Sequence, residues 1–270
     1  MMKLMMVTPT RNAAEYLEEC IESVRRQRAP GVTVEHLIVD SGSVDGTLEI
    51  AERLGVRILH VDPVCVFHSI NEGNAAAVAA DADVIGFLGG DDTLLPGAAE
   101  ILAEWHSRRR SSWLVGRVRW VDATGRSLGD FRPPPRWMTQ EMYGSLGWSC
   151  IPLQSTFLTP ELLKNVGKYD TSFEYSGDYE YLARALEIEG FDRSSYTLST
   201  NRFHGAQLSM SPDSSRWQEV DRIVAEFAPE SNLLKMFYRY LLKVVLNGAS
   251  PRWSLMKHMP KQRAILRHSK

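Results

Sequence analysis

The chain has 270 residues, with 31 Lys and Arg against 33 Asp and Glu. This length is enough to bury a substantial core, and it favours one large α/β domain with an appendage over two equal domains. Hydrophobic residues make up 44% and charged residues 24%, which excludes a disordered or fibrous chain. The net charge of −2 gives no whole-chain argument for nucleic acid, so we predict no such partner. Three cysteines make no disulfide framework, which fits a reducing compartment.

The first half of the sequence alternates strand and helix patterns. Apolar runs bounded by turn residues predict strands at residues 4–7, 34–39, 56–61 and 84–88. Helical spacing and an Ala-rich run predict helices at residues 15–28, 45–54, 68–80 and 96–105. This βαβαβαβ order predicts a mainly parallel sheet flanked by helices, with ligands at the carboxyl ends of the strands. Thr8, Asp40 and the pair Asp91 and Asp92 directly follow strands, so we expect them on one rim.

The second half of the sequence is less regular. Strand patterns cover residues 113–121, 153–158 and 198–203, and helical patterns begin at Pro160 and cover residues 179–188. No apolar stretch approaches the roughly 18–20 residues of a membrane span. The apolar run at the start of the chain is too short for a signal-peptide core. We therefore expect a cytoplasmic protein, either free or peripheral on the inner face of the membrane.

The C-terminal part differs from the rest in charge. Residues 235–270 contain nine Lys or Arg and no acid, whereas the remaining residues carry 22 basic and 33 acidic groups, a net charge of −11. We predict a domain at residues 1–228 and a basic amphipathic extension at residues 229–270, helical from Leu233 onward. Residues 233–270 either lie on an anionic membrane surface or pack on the domain with a solvated basic face.

Two adjacent carboxylates, Asp91 and Asp92, follow the fourth strand in the run Gly89-Gly90-Asp91-Asp92. Such a pair is unfavourable unless a positive group neutralises it. A hard divalent cation does so and leaves coordination sites for phosphate oxygens. The alternative is a strand-to-helix turn in which an Asp caps the next helix. Asp40, taken alone, is likewise either a ligand-binding carboxylate or a turn and cap residue after a strand.

Four segments in this order are more specific than any one of them: residues 7–12 (VTPTRN), 16–24 (YLEECIESV), 38–47 (IVDSGSVDGT) and 85–92 (IGFLGGDD). Together they closely resemble the nucleotide-sugar-binding half of family 2 glycosyltransferases, which have the GT-A fold. The resemblance is strong over residues 3–110 and weaker to about residue 210. It implies a nucleotide-sugar-binding half at residues 1–110 and an acceptor half at residues 111–228.

The resemblance implies roles on the donor side. The loop of Thr8, Pro9, Thr10 and Arg11 would contact the base and ribose of a nucleoside-diphosphate sugar. Asp40 would accept a hydrogen bond from the base, typically uracil, and Asp91 would lie near the ribose. Asp92 would ligate Mn²⁺ or Mg²⁺ bridging the diphosphate, which stabilises the leaving nucleoside diphosphate. Two further residues align with donor-side positions: Asn71, in a donor-binding helix, and His204, which is either a metal ligand or a structural residue.

An inverting transfer also needs a base that takes the proton of the acceptor hydroxyl. Residues 167–170 and 175–184 resemble the acceptor-side motif of the family, in which an acidic residue opens a helix and an Arg follows six positions later. This makes Asp178 the catalytic base, with Glu180 as the competing candidate. The alternative without the resemblance is that Asp178 caps the helix and that Glu180 pairs with Arg184 at i,i+4.

Some positions depart from the family pattern or have open roles. Residues 62–73 lack the basic residue that many relatives carry, which puts the donor in doubt. Ser41 stands where relatives often have a second Asp, so base recognition rests more heavily on Asp40. Trp137 and Trp148 either stack on sugar rings or pack in the core.

The sequence therefore predicts a metal-dependent inverting glycosyltransferase. It would move a sugar from a nucleoside-diphosphate donor, with UDP-sugars the first candidates, to a hydroxyl of a glycan or lipid-linked acceptor. The expected setting, by family analogy alone, is surface polysaccharide or lipopolysaccharide assembly. One rival is a nucleotidyltransferase, although residues 8–11 lack the glycines of its loop. The other is a catalytically silent glycan- or membrane-binding protein that retains the fold.

Overall fold

The computed structural model describes residues 1–204 and 215–249 of the chain. The strands in these residues are β1 (Met2–Thr10), β2 (Val32–Asp40), β3 (Arg57–His60), β4 (Val84–Phe87), β5 (Trp113–Asp122), β6 (Ser127–Phe131), β7 (Thr156–Leu158) and β8 (Asp192–Phe203). They form one sheet in the order β3-β2-β1-β4-β7-β5-β6, with β8 paired to β5. Only β6 and β7 run antiparallel to their neighbours among these strands, so the predicted mainly parallel sheet is confirmed.

Helices flank the sheet on both faces. Those described are α1 (Leu17–Arg25), α2 (Thr47–Arg53), α3 (Val66–Ala79), α4 (Ala98–Arg108), α5 (Gln140–Gly144), α6 (Pro160–Val166), α7 (Gly177–Ile188), α8 (Ser215–Phe227) and α9 (Asn232–Ala249). Strand β1 shows the two faces directly, because its alternate side chains enter different cores. Met5 and Val7 pack with α3 and α7, whereas Leu4 and Met6 pack with α1 and α4. The almost continuous apolar run of β1 is typical of a parallel strand buried on both sides.

Helix α3 lies close against β1 and β2 because of one glycine. A Cβ added at Gly73 would lie 2.4 Å from Val7 Cγ1 and 3.0 Å from Val39 Cγ2, so no larger residue fits without movement. The same helix ties the two halves of the chain together. The Asn71 amide donates to the Tyr169 carbonyl at 2.9 Å and accepts from the Tyr169 N–H at 2.8 Å.

Three described elements were absent from the sequence prediction: β6, α5 and α8. Strand β6 and helix α5 contain five residues each, and α8 has only three buried apolar residues. All three depend on packing against a neighbouring element. The predicted strand over residues 153–158 is a 3-10 turn at Leu153–Ser155 followed by β7. The boundary at residues 228 and 229 stays a prediction, with α8 ending at Phe227 and α9 beginning at Asn232.

Helix α9 packs on the body through only part of its surface. Leu242 and Leu246 are buried, and Arg239 Nε donates to the Ser145 carbonyl. None of the helices in residues 1–204 and 215–249 has the length and apolar content that a bilayer crossing needs. Residues 250–270 of the predicted basic extension lie outside the described residues.

Candidate active site

The candidate site lies on the rim where β1, β2 and β4 end. Strand β1 has β2 on one side and β4 on the other, so the direction of chain progression reverses there. Such reversal points are where α/β sheets bind ligands. Thr10 and Asp40 are register partners at the ends of β1 and β2. The loop after β4 lies beside them, because a Cβ added at Gly90 would be 3.5 Å from Thr10 Cγ2.

Asp40 organises the loop that follows β2. Its Oδ1 accepts a hydrogen bond from Thr10 Oγ1 at 3.1 Å and one from Ser43 Oγ. Its Oδ2 accepts from the backbone N–H groups of Gly42 and Ser43, each at 3.0 Å. Asp40 is 1% exposed. A nucleotide base would therefore have to share or replace one of these hydrogen bonds, and the base-binding role of Asp40 stays a prediction.

The four residues of the first loop do not all face the rim. Thr8 is fully buried, and its Oγ1 lies 2.9 Å from Nε2 of His36. Burial lowers the pKa of His36 to about 3, so this imidazole is neutral and belongs to the interior. Thr10 is 3% exposed, whereas Pro9 is partly exposed and Arg11 is exposed, so Pro9 and Arg11 are the members of the loop with open surface for a ligand. Thr8 acts below the rim, by holding β1 and β2 together.

Asn71 was predicted to contact the donor. Its amide is occupied on both sides by the Tyr169 backbone, as described above, and it is 7% exposed. In this structure its side chain joins α3 to the segment before α7. The predicted contact between Asn71 and the donor stays a prediction, and the Asn71 side chain would have to share its hydrogen bonds to Tyr169 to make it.

The two adjacent carboxylates have different surroundings. Asp91 is partly exposed, and its Oδ2 lies 2.9 Å from Nε2 of His204, which follows β8. Asp92 is buried, and its Oδ1 accepts a hydrogen bond from the Arg202 N–H at 2.8 Å. Burial raises the pKa of Asp92 well above its usual range, and the neighbouring Asp91 charge adds to the rise. Asp91 therefore contacts His204 directly, while the predicted metal-binding roles of Asp92 and His204 and the predicted ribose contact of Asp91 stay predictions.

Arg202 is a site residue that the sequence analysis missed. Its guanidinium is 2% exposed and donates to the Asp91 carbonyl at 2.9 Å and to Glu19 Oε2 at 2.6 Å. It also lies over the Tyr16 ring, 4.7 Å from the centroid. Arg202 thereby fixes the loop of the two carboxylates to α1. Its position two residues before His204 at the end of a strand was the available signal, but its partners lie more than a hundred residues away in sequence.

Gly89 leaves the space that the two carboxylates occupy. A Cβ at this position would lie 2.5 Å from Asp91 Oδ1 and 3.0 Å from Asp92 Oδ2. The resemblance to family 2 glycosyltransferases implies a UDP-sugar donor at this rim. We expect Gly89→Ala to displace both side chains and thereby to weaken binding of UDP by about tenfold or more, with a loss of stability of about 1–3 kcal/mol. Titration of UDP by calorimetry, beside a thermal melt, measures both effects.

Gly190→Ala is the matched control for this prediction, because an added Cβ there meets nothing closer than 3.8 Å. UDP affinity in Gly89→Ala equal to that of Gly190→Ala would show that the carboxylates do not need the space at Gly89.

Asp178 lies in the first turn of α7, two residues after the N-cap residue Ser176. Burial raises its pKa to about 6, against an ordinary value near 4. The backbone before it is clamped by Glu219 of α8, whose Oε2 accepts from the N–H groups of Tyr175 at 3.0 Å and Ser176 at 2.8 Å. Gly177 packs on the ring of Phe67, where a Cβ would lie 2.7 Å from Cε2. Because Phe67 lies in the first turn of α3, which follows β3, Asp178 lies at the same end of the sheet as the rim.

Glu180 has the structural role that the alternative interpretation gave it. It is 5% exposed and holds Arg184 through both oxygens, with Arg184 Nη2 donating to Oε2 at 2.9 Å. Arg184 in turn donates to the carbonyls of Val166 and Lys168. A carboxylate fixed by a bidentate guanidinium is a poor proton acceptor. These contacts give Glu180 a structural role and leave Asp178 as the first candidate for the predicted base. Ser176 occupies the N-cap position of α7 and makes no side-chain capping hydrogen bond.

The two tryptophans considered for sugar stacking lie in different environments. Trp148 is partly buried and packs against the main core, whereas Trp137 is about half exposed. Only Trp137 presents an open ring face to a ligand.

The donor set at the rim fits a divalent cation in part. Asp91 and His204 are already in contact, and carboxylate oxygen and imidazole nitrogen are both ligands for Mn²⁺. In the residues that the structure describes, no group of three acidic, His or Cys side chains is spaced to hold a metal ion by itself. Diphosphate oxygens and water would complete the coordination of such an ion.

The comparisons with known proteins decide the family. A profile described as Glycosyl transferase family 2 matches residues 6–159, more than half of the chain. The chain belongs to this family. The nucleotidyltransferase interpretation of the sequence is therefore wrong, and the resemblance of the four donor-side segments is confirmed.

Curated relatives of this glycosyltransferase agree with the assignment. An uncharacterized glycosyltransferase of Rickettsia typhi is 24% identical over 217 residues, which cover 75% of this chain and 64% of the relative. The poly(ribitol-phosphate) β-N-acetylglucosaminyltransferase TarS of Staphylococcus aureus is 30% identical over 118 residues, 40% of this chain and 20% of TarS. The chain thus spans between a fifth and about two thirds of the length of these relatives.

Solved structures establish the fold of this glycosyltransferase. S. aureus TarS 1-349 in complex with UDP-GlcNAc superposes with a TM-score of 0.64 at 18% identity, covering 97% of this chain and 78% of that one. The same TarS fragment in complex with UDP gives a TM-score of 0.64 at 19% identity, over 91% of this chain and 71% of that one. At this identity the likeness shows the GT-A fold, which confirms the predicted fold class.

Proposed function

We propose that this family 2 glycosyltransferase transfers a sugar from a UDP-sugar, with inversion, to a hydroxyl of a glycan or lipid-linked acceptor. The observation that carries the proposal is the rim itself. Asp91 contacts His204 and lies next to the buried Asp92 just after β4, and Asp178 lies at the same end of the sheet with a pKa of about 6. The solved complexes of TarS with UDP and UDP-GlcNAc support a uridine donor.

The acidic residues suggest how the reaction runs. The Asp178 carboxylate takes the proton of the acceptor hydroxyl while the hydroxyl oxygen forms a bond to the anomeric carbon. The bond from that carbon to the diphosphate oxygen breaks, and its electron pair leaves with UDP. Attack from the face opposite the leaving group inverts the anomeric configuration. Thr10, Arg11 and Asp40 would orient the nucleoside, and Arg202 would hold the carboxylate loop in place.

A divalent cation fits this site as a cofactor. Asp91, Asp92 and His204 are the residues that would hold Mn²⁺ or Mg²⁺. When bound, the ion supplies positive charge that stabilises the leaving diphosphate. Asp92 would have to exchange or share its hydrogen bond to the Arg202 N–H to reach it.

The acceptor belongs to surface polysaccharide or lipopolysaccharide assembly in this proposal. Two relatives support it: the poly(ribitol-phosphate) β-glucosyltransferase of Bacillus spizizenii and the poly(ribitol-phosphate) β-N-acetylglucosaminyltransferase TarS of S. aureus. The predicted cytoplasmic location agrees with the supply of nucleotide sugars that the reaction needs.

A thermal-shift comparison of UDP, GDP, dTDP and CDP, each with and without Mn²⁺, tests the donor. A ligand at about 100 times its Kd adds about 2.7 kcal/mol to the free energy of unfolding. We expect that UDP is the one nucleotide of the four that stabilises the protein, and that it does so only when Mn²⁺ is present. A shift with another nucleotide would replace uracil as the base of the donor. No shift with any of the four nucleotides would favour a catalytically silent glycan- or membrane-binding protein.

We further propose that α9 lies on an anionic membrane, which is one of the two alternatives left open for residues 233–270. One face of α9 packs on the body, while a second apolar face is exposed and formed by Leu233, Met236, Phe237, Tyr240 and Val244. Lys243 lies next to that face, whereas Arg239 donates to the Ser145 carbonyl of the body and Lys235 is partly buried. Helix α9 contains no acid. A helix that is apolar on two faces and basic at one margin fits an anionic lipid surface better than water.

Vesicle flotation with the full chain tests this contact. We expect binding to phosphatidylglycerol vesicles and much weaker binding to phosphatidylcholine vesicles, because each Lys or Arg near an anionic surface adds about 1 kcal/mol. The variant Phe237→Ser with Tyr240→Ser should lose binding by about tenfold or more, whereas Tyr196→Ser, exposed on β8, should retain it. Equal binding of all three proteins would contradict the assignment, and concentration-dependent dimers without vesicle binding would assign the face to a second copy.

A further inference from the structure

A second binding feature lies in the acceptor half, outside the rim. An open groove of about 510 Å³ is lined by Arg117 of β5, by Arg193 of β8 and by the segment before α5 that carries Arg136 and Trp137. Pro135, Ser194 and Ser195 complete its wall. The groove therefore combines guanidinium groups with one open aromatic ring.

The groove is well separated from the carboxylates. Arg193 pairs with Val115 of β5, and Phe203, which precedes His204, pairs with Asp122. These two points are seven residue steps apart along β5, which at strand spacing is about 23 Å. A molecule in the groove is thus beyond the reach of a donor sugar at the rim, but within reach of a long acceptor.

Charge in and around the groove is strongly positive. The guanidinium groups of Arg117, Arg119, Arg132, Arg136 and Arg193 lie there, against the carboxylates Asp130 and Asp192. Asp130 pairs with Arg119, and Asp192 pairs with Arg136. Within residues 1–204 and 215–249, Arg117, Arg132 and Arg193 have no ion-pair partner.

This crowding has an electrostatic cost. Partial burial lowers the pKa of Arg193, and the neighbouring positive charges of Arg117, Arg132 and Arg136 lower it further. Like charges held together destabilise the folded chain unless an anion offsets them. An anionic ligand would relieve that repulsion.

Trp137 adds a second kind of recognition. Its ring is 49% exposed beside Arg136, so it offers an apolar plane on which the C–H face of a sugar or polyol can lie. Guanidinium groups make paired hydrogen bonds to phosphate and carboxylate oxygens. The two features together fit a polymer that alternates sugar-like units with oxyanions.

We propose that this groove binds the acceptor away from its reacting end, and that the acceptor is an anionic glycan bearing phosphodiester or carboxylate groups. The identification of the ligand as the acceptor rests on the proposed glycosyl transfer, whereas binding in the groove can be measured without it. The groove would hold the polymer while its terminal hydroxyl lies at Asp178. It makes the enzyme selective for charged chains over neutral ones of the same length.

Fluorescence anisotropy of the full chain with four labelled probes tests the proposal. The probes are a glycerol-phosphate oligomer, an oligogalacturonate, a neutral dextran oligomer and single-stranded RNA. We expect one or both anionic glycan probes to bind, with an affinity that falls as salt rises, and dextran to bind at least about tenfold more weakly.

Variants locate the binding. The triple variant Arg117→Gln, Arg132→Gln, Arg193→Gln should weaken binding of the anionic probe by more than about tenfold, and Trp137→Ala should weaken it further. The matched control changes the same net charge elsewhere, at the exposed residues Arg26, Arg57 and Arg109, each to Gln. We expect the control triple to bind almost as well as the parent protein, and both triples to melt at the same temperature.

The outcomes separate the groove from the donor site. Equal losses in the two triple variants would overturn the groove as a site, and equal binding of dextran would overturn its anionic ligand. RNA binding tighter than either anionic glycan would reassign the groove to nucleic acid. A parent protein that binds the anionic probe through the groove but is never stabilised by a nucleotide would leave the groove standing and remove the proposed function.

Discussion

Asp178→Asn should lower the transfer rate at least about a hundredfold while leaving the affinity for UDP unchanged. A general base contributes roughly 10²–10⁴-fold to such a step, and an amide cannot take the proton of the acceptor hydroxyl. The side chain retains its size and its place in the first turn of α7, after a backbone that Glu219 clamps. Initial rates of UDP release with acceptor, beside UDP titrations, measure the two quantities separately.

The pH dependence of the parent enzyme follows from the same group. Burial raises the pKa of Asp178 to about 6, and the base is the ionised form. kcat/KM should therefore fall about tenfold per pH unit below pH 6 and level off above it. In Asp178→Asn the residual rate should lose this inflection.

Glu180→Gln is the control that separates catalysis from structure. It removes one charge from the buried pair with Arg184, so we expect a loss of about 2 kcal/mol of stability. The rate per folded molecule should stay within a few fold of the parent rate. If Glu180→Gln abolishes transfer at full stability and Asp178→Asn does not, the base is Glu180.

The first half of the fold was predictable because its local and tertiary signals agree. Strands β1 and β4 and residues 37–40 of β2 are buried on both faces, so they read as apolar runs, and the helices between them have clear periodicity. Element β6 gave no such signal, because it is short, carries Gly129 at a φ of 129° and depends on pairing with β5. Helix α8 has only Val220, Ile223 and Phe227 buried, a spacing too sparse to stand out in the sequence.

The candidate site was predictable in position but not in orientation. Residues that follow parallel strands must lie on one rim, which places Thr10, Asp40 and Asp91 together. Motif spacing does not say which way a side chain turns. Thr8 proved to be buried against His36, and Asn71 proved to be bound to the Tyr169 backbone.

Long-range partners were beyond the reach of the sequence. Arg202 contacts Glu19 across 183 positions and Asp91 across 111 positions. Glu219 reaches the segment before Asp178 from a helix that was not predicted. Such contacts depend on how β8 and α8 pack, which local patterns do not encode.

Asp92→Asn should abolish the Mn²⁺-dependent part of UDP binding. The amide oxygen can still accept the Arg202 N–H, which Asp92 Oδ1 accepts at 2.8 Å, so the loop should keep its shape. What is lost is the negative charge that offsets a divalent cation. In thermal melts with UDP, we expect addition of Mn²⁺ to give no further stabilisation, against about 2.7 kcal/mol for the parent at about 100 times its Kd.

The stability of this variant without ligand distinguishes a lost charge from a lost fold. An ionised carboxylate that is buried beside Asp91 opposes folding, so its removal should leave the melting temperature unchanged or raise it. Asp122→Asn is the control for changing one Asp. Asp122 is partly exposed, and its Oδ1 accepts hydrogen bonds from the backbone N–H groups of Thr124 and Arg126. This control variant should keep the full Mn²⁺ effect.

Two neighbouring variants decide which side chains hold the ion. Asp91→Asn and His204→Asn each remove one of the two groups that lie 2.9 Å apart at the mouth of the site. If both lose the Mn²⁺ effect and Asp92→Asn keeps it, the ion sits on Asp91 and His204, and Asp92 serves only to anchor Arg202. If all three lose it, the buried carboxylate must turn from the Arg202 N–H to the ion when UDP binds. The raised pKa of Asp92 would then belong to the protein without its donor, because a bound cation favours the ionised form.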